Sequence, residues 1–514
     1  MMQTNIFSYL ENTAERYPDK TALVDDKGSV SFAALLTAAL SIGTAAAAMI
    51  PVPEDPPFAR PVCVMTGRDA DSIKGFMGAM AAGCFYVPVD RTMPKARMEK
   101  VFKTVSPALV IGRREDRETA EGLENGAPFL AIEDAEAGDI DADLLSFRRS
   151  LVLDVDPAYV FFTSGSTGDP KGIAVSHGNL IDFTEWYCEE FDSSADDICG
   201  NQPPFYFDAS GRDLFPCLRT GGTIHILPRK LFMFPALLIR YLNDNRINVL
   251  NWATSAFDLV ANSRVLEKHQ PLYLKRIVLG GEALHARQIN LWKKAAPDAE
   301  IVNVYGPTET TVDCCFYRVD RTFRDEEPVP IGRACANMQL MVLGEDERPV
   351  KKGEAGELCV RGRGVSLGYY GDFEKSDEHF VQDPLNPWYH DRVYRTGDMV
   401  KQGEDGLLYF LSRRDSQIKH MGYRIELGET ETALMSIGGI DRAVCLFDGG
   451  RDRIICVYCG SIEKNEAAEK LAALIPRYMC PNEYVRIDRM PETMSGKPDR
   501  PALKKRYIDG QGDL

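Results

Sequence analysis

Residues 159–172 read YVFFTSGSTGDPKG, and this stretch restricts the folds open to the chain more than any other. The apolar, aromatic run Tyr159, Val160, Phe161, Phe162 stops abruptly at six residues that are all Thr, Ser or Gly, followed by Asp169, Pro170, Lys171 and Gly172. That is the pattern of a strand feeding a phosphate loop. Gly165 and Gly168 lack Cβ, so backbone N–H groups can turn toward an anion. Thr163, Ser164, Ser166 and Thr167 add hydroxyl donors, and Lys171 adds a mobile positive charge. The spacing is not the Walker pattern, because Lys171 follows Gly168 by three positions. A solvated Gly/Ser linker would need neither an apolar strand before it nor a lysine between Pro170 and Gly172.

A chain of 514 residues has room for roughly three domains and an ample core. Lys+Arg number 60 against 76 Asp+Glu, a net charge of −16, so no global pull toward nucleic acid or an anionic membrane is expected. An anionic ligand must be held by local donors. The 13 cysteines are an odd count, and no charged segment followed by an apolar leader opens the chain; the expectation is reduced thiols and a cytoplasmic protein. Cys456 and Cys459 form a C-x-x-C inside the strand-like run RIICVYCG, where positions i and i+3 face opposite sides, and a second ligand pair is missing. The charge-free stretch 32–50 is mostly Ala, Ser, Thr and Gly and reads as a buried helix, not a membrane span.

Along the chain, helical spacing over 5–17 and 71–82 alternates with strand-like runs at 20–25, 62–66, 84–87, 108–111 and 129–132. This βα alternation predicts a parallel sheet covered by helices. A helix is expected over 176–190, an aromatic turn at 202–210, a helix at 236–244 and strands at 249–252 and 276–279. Residues 301–311, IVNVYGPTETT, again run from a hydrophobic strand into Gly-Pro, hydroxyls and the carboxylate Glu309. Two such strand ends in one parallel sheet would bring their loops to the same carboxyl edge, where ligands bind in open α/β folds. From 329 onward the runs are shorter and β-like, and residues 417–514 carry a βαβ-like pattern of their own, with a boundary expected near Asp415.

Taken together, FFTSGSTGDPKG, FDAS, NVYGPTETT, GELCVRGRGVSLGYY, YRTGD, RRDSQIKHMGYRIELGE and the final SGK resemble, in order and over essentially the whole chain, the adenylate-forming superfamily. Within it the chain is most similar to the amino-acid adenylation domains of nonribosomal peptide synthetases and the related D-alanine:carrier-protein ligases. The resemblance implies an α/β fold: a large N-terminal core of β-sheets flanked by helices, with a small β-barrel-like part (1–412), a hinge (413–416), and a small mobile α+β C-terminal domain (417–514). It also implies a two-step ligase. A carboxylate attacks the α-phosphate of ATP and releases pyrophosphate; a phosphopantetheine thiol then takes the acyl group from AMP.

By the same resemblance, Thr163, Ser164, Gly165, Ser166, Thr167, Gly168 and Lys171 would hold the β- and γ-phosphates, and Glu309 would coordinate Mg²⁺ beside Thr308. Asp398 would accept hydrogen bonds from the ribose, Tyr305 would offer a flat face to the adenine, Gly306 would belong to the same nucleotide site, and Arg413 would add a nucleotide contact. Lys497 would reach the substrate carboxylate and the α-phosphate. The hinge matches Asp415, and Gly422 in KHMGYR would leave room for the pantetheine arm. Ser412 stands where the family usually has glycine before Arg413.

Asp208, at the end of the aromatic turn, corresponds to the aspartate that pairs with the substrate α-ammonium; a fatty- or aryl-acid ligase has no ammonium to neutralise. The pocket positions carried over are Asp208, Ala209, Arg212, Asn251, Val278, Gly280, Val304, Val312 and Asp313. Arg212 and Asp313 either pair with each other, leaving room for a small or neutral side chain, or bind a polar side chain directly, Arg212 favouring an acidic one. The expected partners are an amino acid with a small or polar side chain and a separate carrier protein, since no carrier motif follows the SGK loop; nucleic acid and membrane are not expected. The competing readings are an acyl- or aryl-CoA ligase of the same fold and a non-catalytic nucleotide-binding protein.

Overall fold

Helix and strand signals alternate through the first third of the chain because apolar residues switch between helical and every-other spacing. A computed structural model turns that alternation into layered sheets; it describes all residues except 1–2, 125, 166–168, 415–416, 492–497 and 511–514. Helix starts are set by side-chain caps: Ser31 accepts from the Ala34 N–H, Asp69 from Ser72, and Ser176 exchanges bonds with Asn179 in a capping box.

The helix Phe32–Met49 is long and apolar enough to cross a bilayer, by length and composition. Here Leu35, Ala39, Ile42 and Ala46 are buried in the core instead. Its small residues have a packing reason: a Cβ on Gly78 of the helix Ala70–Ala81 would lie 2.3 Å from Ile42 Cγ2, and one on Gly43 would lie 2.7 Å from Ala81 Cβ. Where the two helices come this close, even the Cβ of an alanine has no room at Gly43 or Gly78.

The chain divides into two units. The first comprises Met1–Arg91, Thr104–Phe161 and Gly172–Arg414; the second comprises Thr92–Lys103, Phe162–Lys171 and Asp415–Leu514. In the seven-stranded sheet the order is Gly368–Tyr369, Lys171–Ser176, Pro157–Thr163, Phe85–Asp90, Pro61–Thr66, Leu109–Gly112, Phe129–Ala131. The nine-stranded sheet has Glu300–Tyr305 between Cys315–Arg318 and Arg276–Gly280, with Val249–Ala253, Ile198–Asn201 and Thr223–Ile226 beyond. The strands Pro157–Thr163 and Glu300–Tyr305 thus lie in different sheets, so the shared carboxyl edge anticipated for their loops does not arise from one sheet. Local strand signals say nothing about which strands pair, and buried residues of both sheets, Val62, Tyr86 and Tyr159 from one and Ile224, Val278 and Val302 from the other, join one hydrophobic cluster.

A five-stranded antiparallel sheet carries Arg392–Gln402 beside Ala355–Gly362 and Leu408–Arg413. In the second unit, Ile440–Asp448, Arg453–Gly460 and Glu483–Arg486 form a three-stranded sheet whose two faces feed separate clusters. Cys456 faces one cluster and Cys459 the other, as strand periodicity requires, which separates the two thiols of the C-x-x-C. A hairpin joins Gln417–His420 to Tyr423–Glu426 through Met421 (φ 53°) and Gly422 (φ 80°). Two successive left-handed residues are what a tight type I′ turn demands, so Gly422 has a conformational reason of its own.

Candidate active site

Glu300–Tyr305 delivers the first part of the site. The strand ends at Gly306 and Pro307, and Thr308–Thr310 form a single 3-10 turn. A Cβ on Gly306 would lie 2.4 Å from the Val312 carbonyl, so the chain can fold back over this residue only because it is glycine. Thr311 (φ 56°) and Val312 (φ 69°) are held in the left-handed region, a costly conformation for β-branched residues. The doubled-back segment buries Glu309 completely; Tyr369 donates to its Oε1 at 3.1 Å.

Asp398 lies opposite Arg413 in the antiparallel ladder between Arg392–Gln402 and Leu408–Arg413. That register lets Arg413 pair with the carboxylate while also donating to the Thr396 carbonyl at 3.2 Å. Tyr305 donates its hydroxyl to the same carboxylate, and burial together with Asp398 pushes the phenol well above its usual range, so it stays a donor. Three residues separated by up to 108 positions therefore form one cluster. The family resemblance gives each a separate nucleotide contact and carries no sign of this link. Nor does it single out Glu357, which ties the region together by accepting from the Gly397 N–H at 3.1 Å, from Arg395 Nη2 at 2.9 Å and from Arg414 Nη1 at 3.0 Å.

The side-chain pocket is built from the 3-10 turn Asp208–Ser210, the helix Gly211–Thr220 and the strand ends around them. Of the two arrangements open to Arg212 and Asp313, the structure has them paired. Arg212 Nε meets Asp313 Oδ2 at 2.7 Å and Nη2 meets Oδ1 at 2.6 Å, a bidentate fork with side chains 4% and 0% exposed. A Cβ at Gly280 would lie 2.9 Å from Arg212 Nη2 and 2.9 Å from Val304 Cγ2, so the guanidinium and Val304 press directly on the glycine. Val278, Val304 and Val312 are buried, while Ala209 is half-buried.

Asn251 is also committed. Its amide accepts from the Tyr187 hydroxyl at 2.6 Å and donates to Asp213 Oδ1 at 2.7 Å, and Asn201 donates to the other oxygen of Asp213 at 2.9 Å. Burial pushes the Asp213 carboxyl up to about 6, and these two amides oppose that rise. Tyr187 and Asp213 were invisible as site residues in the sequence, because one sits in an ordinary amphipathic helix and the other one residue past Arg212.

Asp208 is pushed up to about 6, chiefly by burial; the Thr308 hydroxyl and Arg212 act against the rise and Asp313 adds to it. Arg212 and Asp313 neutralise each other and Asp213 is held by the amides of Asn251 and Asn201, which leaves Asp208 as a carboxylate beside the pair without an ion-pair partner among the described pocket residues.

The phosphate-loop residues fall in the second unit. Thr163 ends the strand Pro157–Thr163, and its buried hydroxyl has no hydrogen-bond partner among the described residues. Ser164 donates to the Arg424 carbonyl at 2.7 Å and accepts from the Glu426 N–H at 3.0 Å; the Gly165 N–H donates to Glu429 Oε2 at 3.1 Å. Lys171 opens the strand Lys171–Ser176. Ser166, Thr167, Gly168, Asp415 and Lys497 lie outside the described residues. Among the described residues no three His, Cys, Asp or Glu side chains converge as a metal cage. A lone buried carboxylate such as Glu309 suits Mg²⁺, which takes most of its ligands from phosphate oxygens and water.

The comparisons agree with this architecture. The profile described as AMP-binding enzyme matches residues 10–370. Bacitracin synthase 1 of Bacillus licheniformis is 31% identical over 507 residues, covering 97% of this chain and 9% of that protein. Tyrocidine synthase 3 of Brevibacillus parabrevis is 29% identical over 512 residues, covering 98% of this chain and 8% of that one. The chain spans less than a fifth of the length of the curated relatives it matches. Among solved structures, holo-PA1221, an NRPS protein containing adenylation and PCP domains bound to a vinylsulfonamide inhibitor, superposes with a TM-score of 0.83 at 25% identity, covering 98% of this chain and 84% of that one. AB3403, a four-domain nonribosomal peptide synthetase bound to AMP and glycine, gives 0.70 at 30% identity, covering 100% of this chain and 37% of that one. With its motifs, sheets and glycine-hydroxyl loop in this arrangement, the chain belongs to the AMP-binding, adenylate-forming enzyme family, and its relatives are the adenylation domains of nonribosomal peptide synthetases.

Proposed function

We propose that this protein activates an amino acid with a small or neutral side chain as its aminoacyl-adenylate, and then passes the acyl group to the phosphopantetheine thiol of a carrier protein. The observation that carries the reading is the pairing of Arg212 with Asp313 beside Asp208. A half-buried carboxylate whose charged form its surroundings disfavour gains from a counter-charge, and an α-ammonium supplies one. With Arg212 spent on Asp313, no cation among the described pocket residues is left to attract an acidic side chain. The solved relative AB3403 holds AMP and glycine, an amino acid of the kind such a filled pocket accommodates.

In the first step the substrate carboxylate attacks the α-phosphorus of ATP and pyrophosphate leaves, so negative charge builds on an already anionic centre. Asp208 fixes the ammonium end and thereby orients the attacking carboxylate. Asp398, held by Tyr305 and Arg413, presents acceptor oxygens to the ribose hydroxyls. Thr163, Ser164, Gly165 and Lys171 supply donors to the phosphates. Glu309 would hold Mg²⁺, which supplies charge neutralisation when bound. Lys497 is assigned to the reacting carboxylate and α-phosphate by resemblance. In the second step the thiol sulfur attacks the adenylate carbonyl and AMP leaves with the bonding pair, and Gly422 is assigned to the arm's path.

The test is amino-acid-dependent exchange of labelled pyrophosphate into ATP over a panel of amino and fatty acids, followed by mass detection of acyl transfer to a holo-carrier protein supplied in trans. Exchange with small neutral amino acids is expected; exchange with fatty acids alone would refute the reading.

A further inference from the structure

The loop that the proposed function assigns to ATP phosphates already binds an anion, and that anion belongs to the protein. Within the second unit, the Gly165 N–H donates to Glu429 Oε2 at 3.1 Å, while Glu429 Oε1 forms an ion pair with Arg97 Nη1. Both side chains are buried, Glu429 at 2% and Arg97 at 3% exposure. Arg97 lies on the helix Lys95–Val105 and Glu429 in the first turn of Leu427–Met435, 332 residues apart. The strand just before Glu429 is fixed to the same loop, because the Ser164 hydroxyl donates to the Arg424 carbonyl and accepts from the Glu426 N–H.

A backbone N–H and a guanidinium aimed at one pair of oxygens is a donor set suited equally to a carboxylate and to a phosphate. A guanidinium buried as Arg97 is here costs stability without an anion beside it, and Glu429 supplies that anion. A phosphate oxygen approaching the Gly165 N–H meets a position that Glu429 holds.

We propose that the Gly165 amide and the Arg97 guanidinium form one anion seat, occupied in turn by the Glu429 carboxylate and by a phosphate of ATP or of the pyrophosphate it releases. Arg97 is then a phosphate-binding residue, and Glu429 is an internal competitor that closes the seat once pyrophosphate has gone. The proposal rests on the nucleotide reading of the loop above.

The test is the equilibrium affinity of Mg-ATP and of inorganic pyrophosphate, by isothermal titration, for the wild type, Glu429→Gln and Arg97→Gln. Because a charge-assisted hydrogen bond is removed from the competitor, Glu429→Gln should bind both ligands about tenfold more tightly, and Arg97→Gln should bind them about tenfold more weakly. As a readout that needs no variant, inorganic pyrophosphate added to the wild type should speed amide exchange over residues 424–435. Unchanged affinities in both variants, or amide exchange that pyrophosphate leaves unaltered, overturn the shared seat alone. A wild type that binds neither ligand overturns the proposed function, and the seat with it.

Discussion

The Arg212–Asp313 fork is the feature of the pocket whose removal has the most predictable consequences. Both charges are buried and doubly hydrogen-bonded at 2.6 and 2.7 Å, so removing one leaves the other uncompensated. Breaking a buried pair from one side costs about 3–5 kcal/mol, whereas replacing both charges by apolar groups of similar volume is about neutral or stabilising. In a unit of about 400 residues, with an unfolding entropy of about 2.1 cal/mol/K per residue, that cost corresponds to a fall of about 4–6 °C in Tm. Asp313→Ala and Arg212→Met should each show this fall by scanning calorimetry, and the double variant Arg212→Met/Asp313→Leu should recover most of it. The single Asp313→Ala variant also frees a cation inside the pocket. Pyrophosphate exchange supported by aspartate or glutamate should rise about tenfold or more in that variant, the factor expected for a new charge-assisted hydrogen bond. Single-variant costs that simply add in the double variant would refute the coupling, and strong activation of acidic amino acids by the wild type would refute the assignment of Arg212 to Asp313.

Asp208, with a pKa raised to about 6, should give the amino-acid KM a pH dependence: the α-ammonium needs the carboxylate, so KM should climb as pH falls through about 6, and Asp208→Asn should abolish exchange without any such inflection. The sign for stability is the opposite. A raised carboxyl pKa means that the ligand-free fold favours the protonated form, so the cost is present above about 6 and vanishes below the ordinary value near 4; Asp208→Asn should therefore be about 1–2 kcal/mol more stable than the wild type at pH 7.5 in urea unfolding, with no advantage near pH 4. Gly306→Ala should push the Val312 carbonyl away from a Cβ that would otherwise lie 2.4 Å from it, displacing Glu309 and Asp313 together; a loss of exchange activity of a hundredfold or more is expected, since a shift of about 1 Å near the reacting groups costs about that much, and wild-type activity would contradict the geometry.

How far the sequence carries can be judged from particular elements. Helical spacing over 5–17 becomes Phe7–Arg16, and the runs at 62–66 and 276–279 become Pro61–Thr66 and Arg276–Gly280, because periodicity and caps are local properties. The helix Ala286–Ala295 is not among the elements expected from the sequence, although its buried residues Ala286, Ile289, Trp292 and Ala295 recur at helical spacing; nor is the eleven-residue strand Arg392–Gln402, which is interrupted by Gly397 in a left-handed conformation.

By itself the sequence determined the strand-loop transitions at Thr163 and Tyr305, the order of the family motifs and the chemistry of the donors they contain, since each depends on neighbours along the chain. Only the tertiary structure decided that these two strands lie in different sheets, that Arg212 spends its charge on Asp313, that Tyr305 and Arg413 converge on Asp398, and that Glu429 sits on the Gly165 amide. Those outcomes depend on which distant side chains must share a dehydrated space, where an unpaired charge or donor is costly.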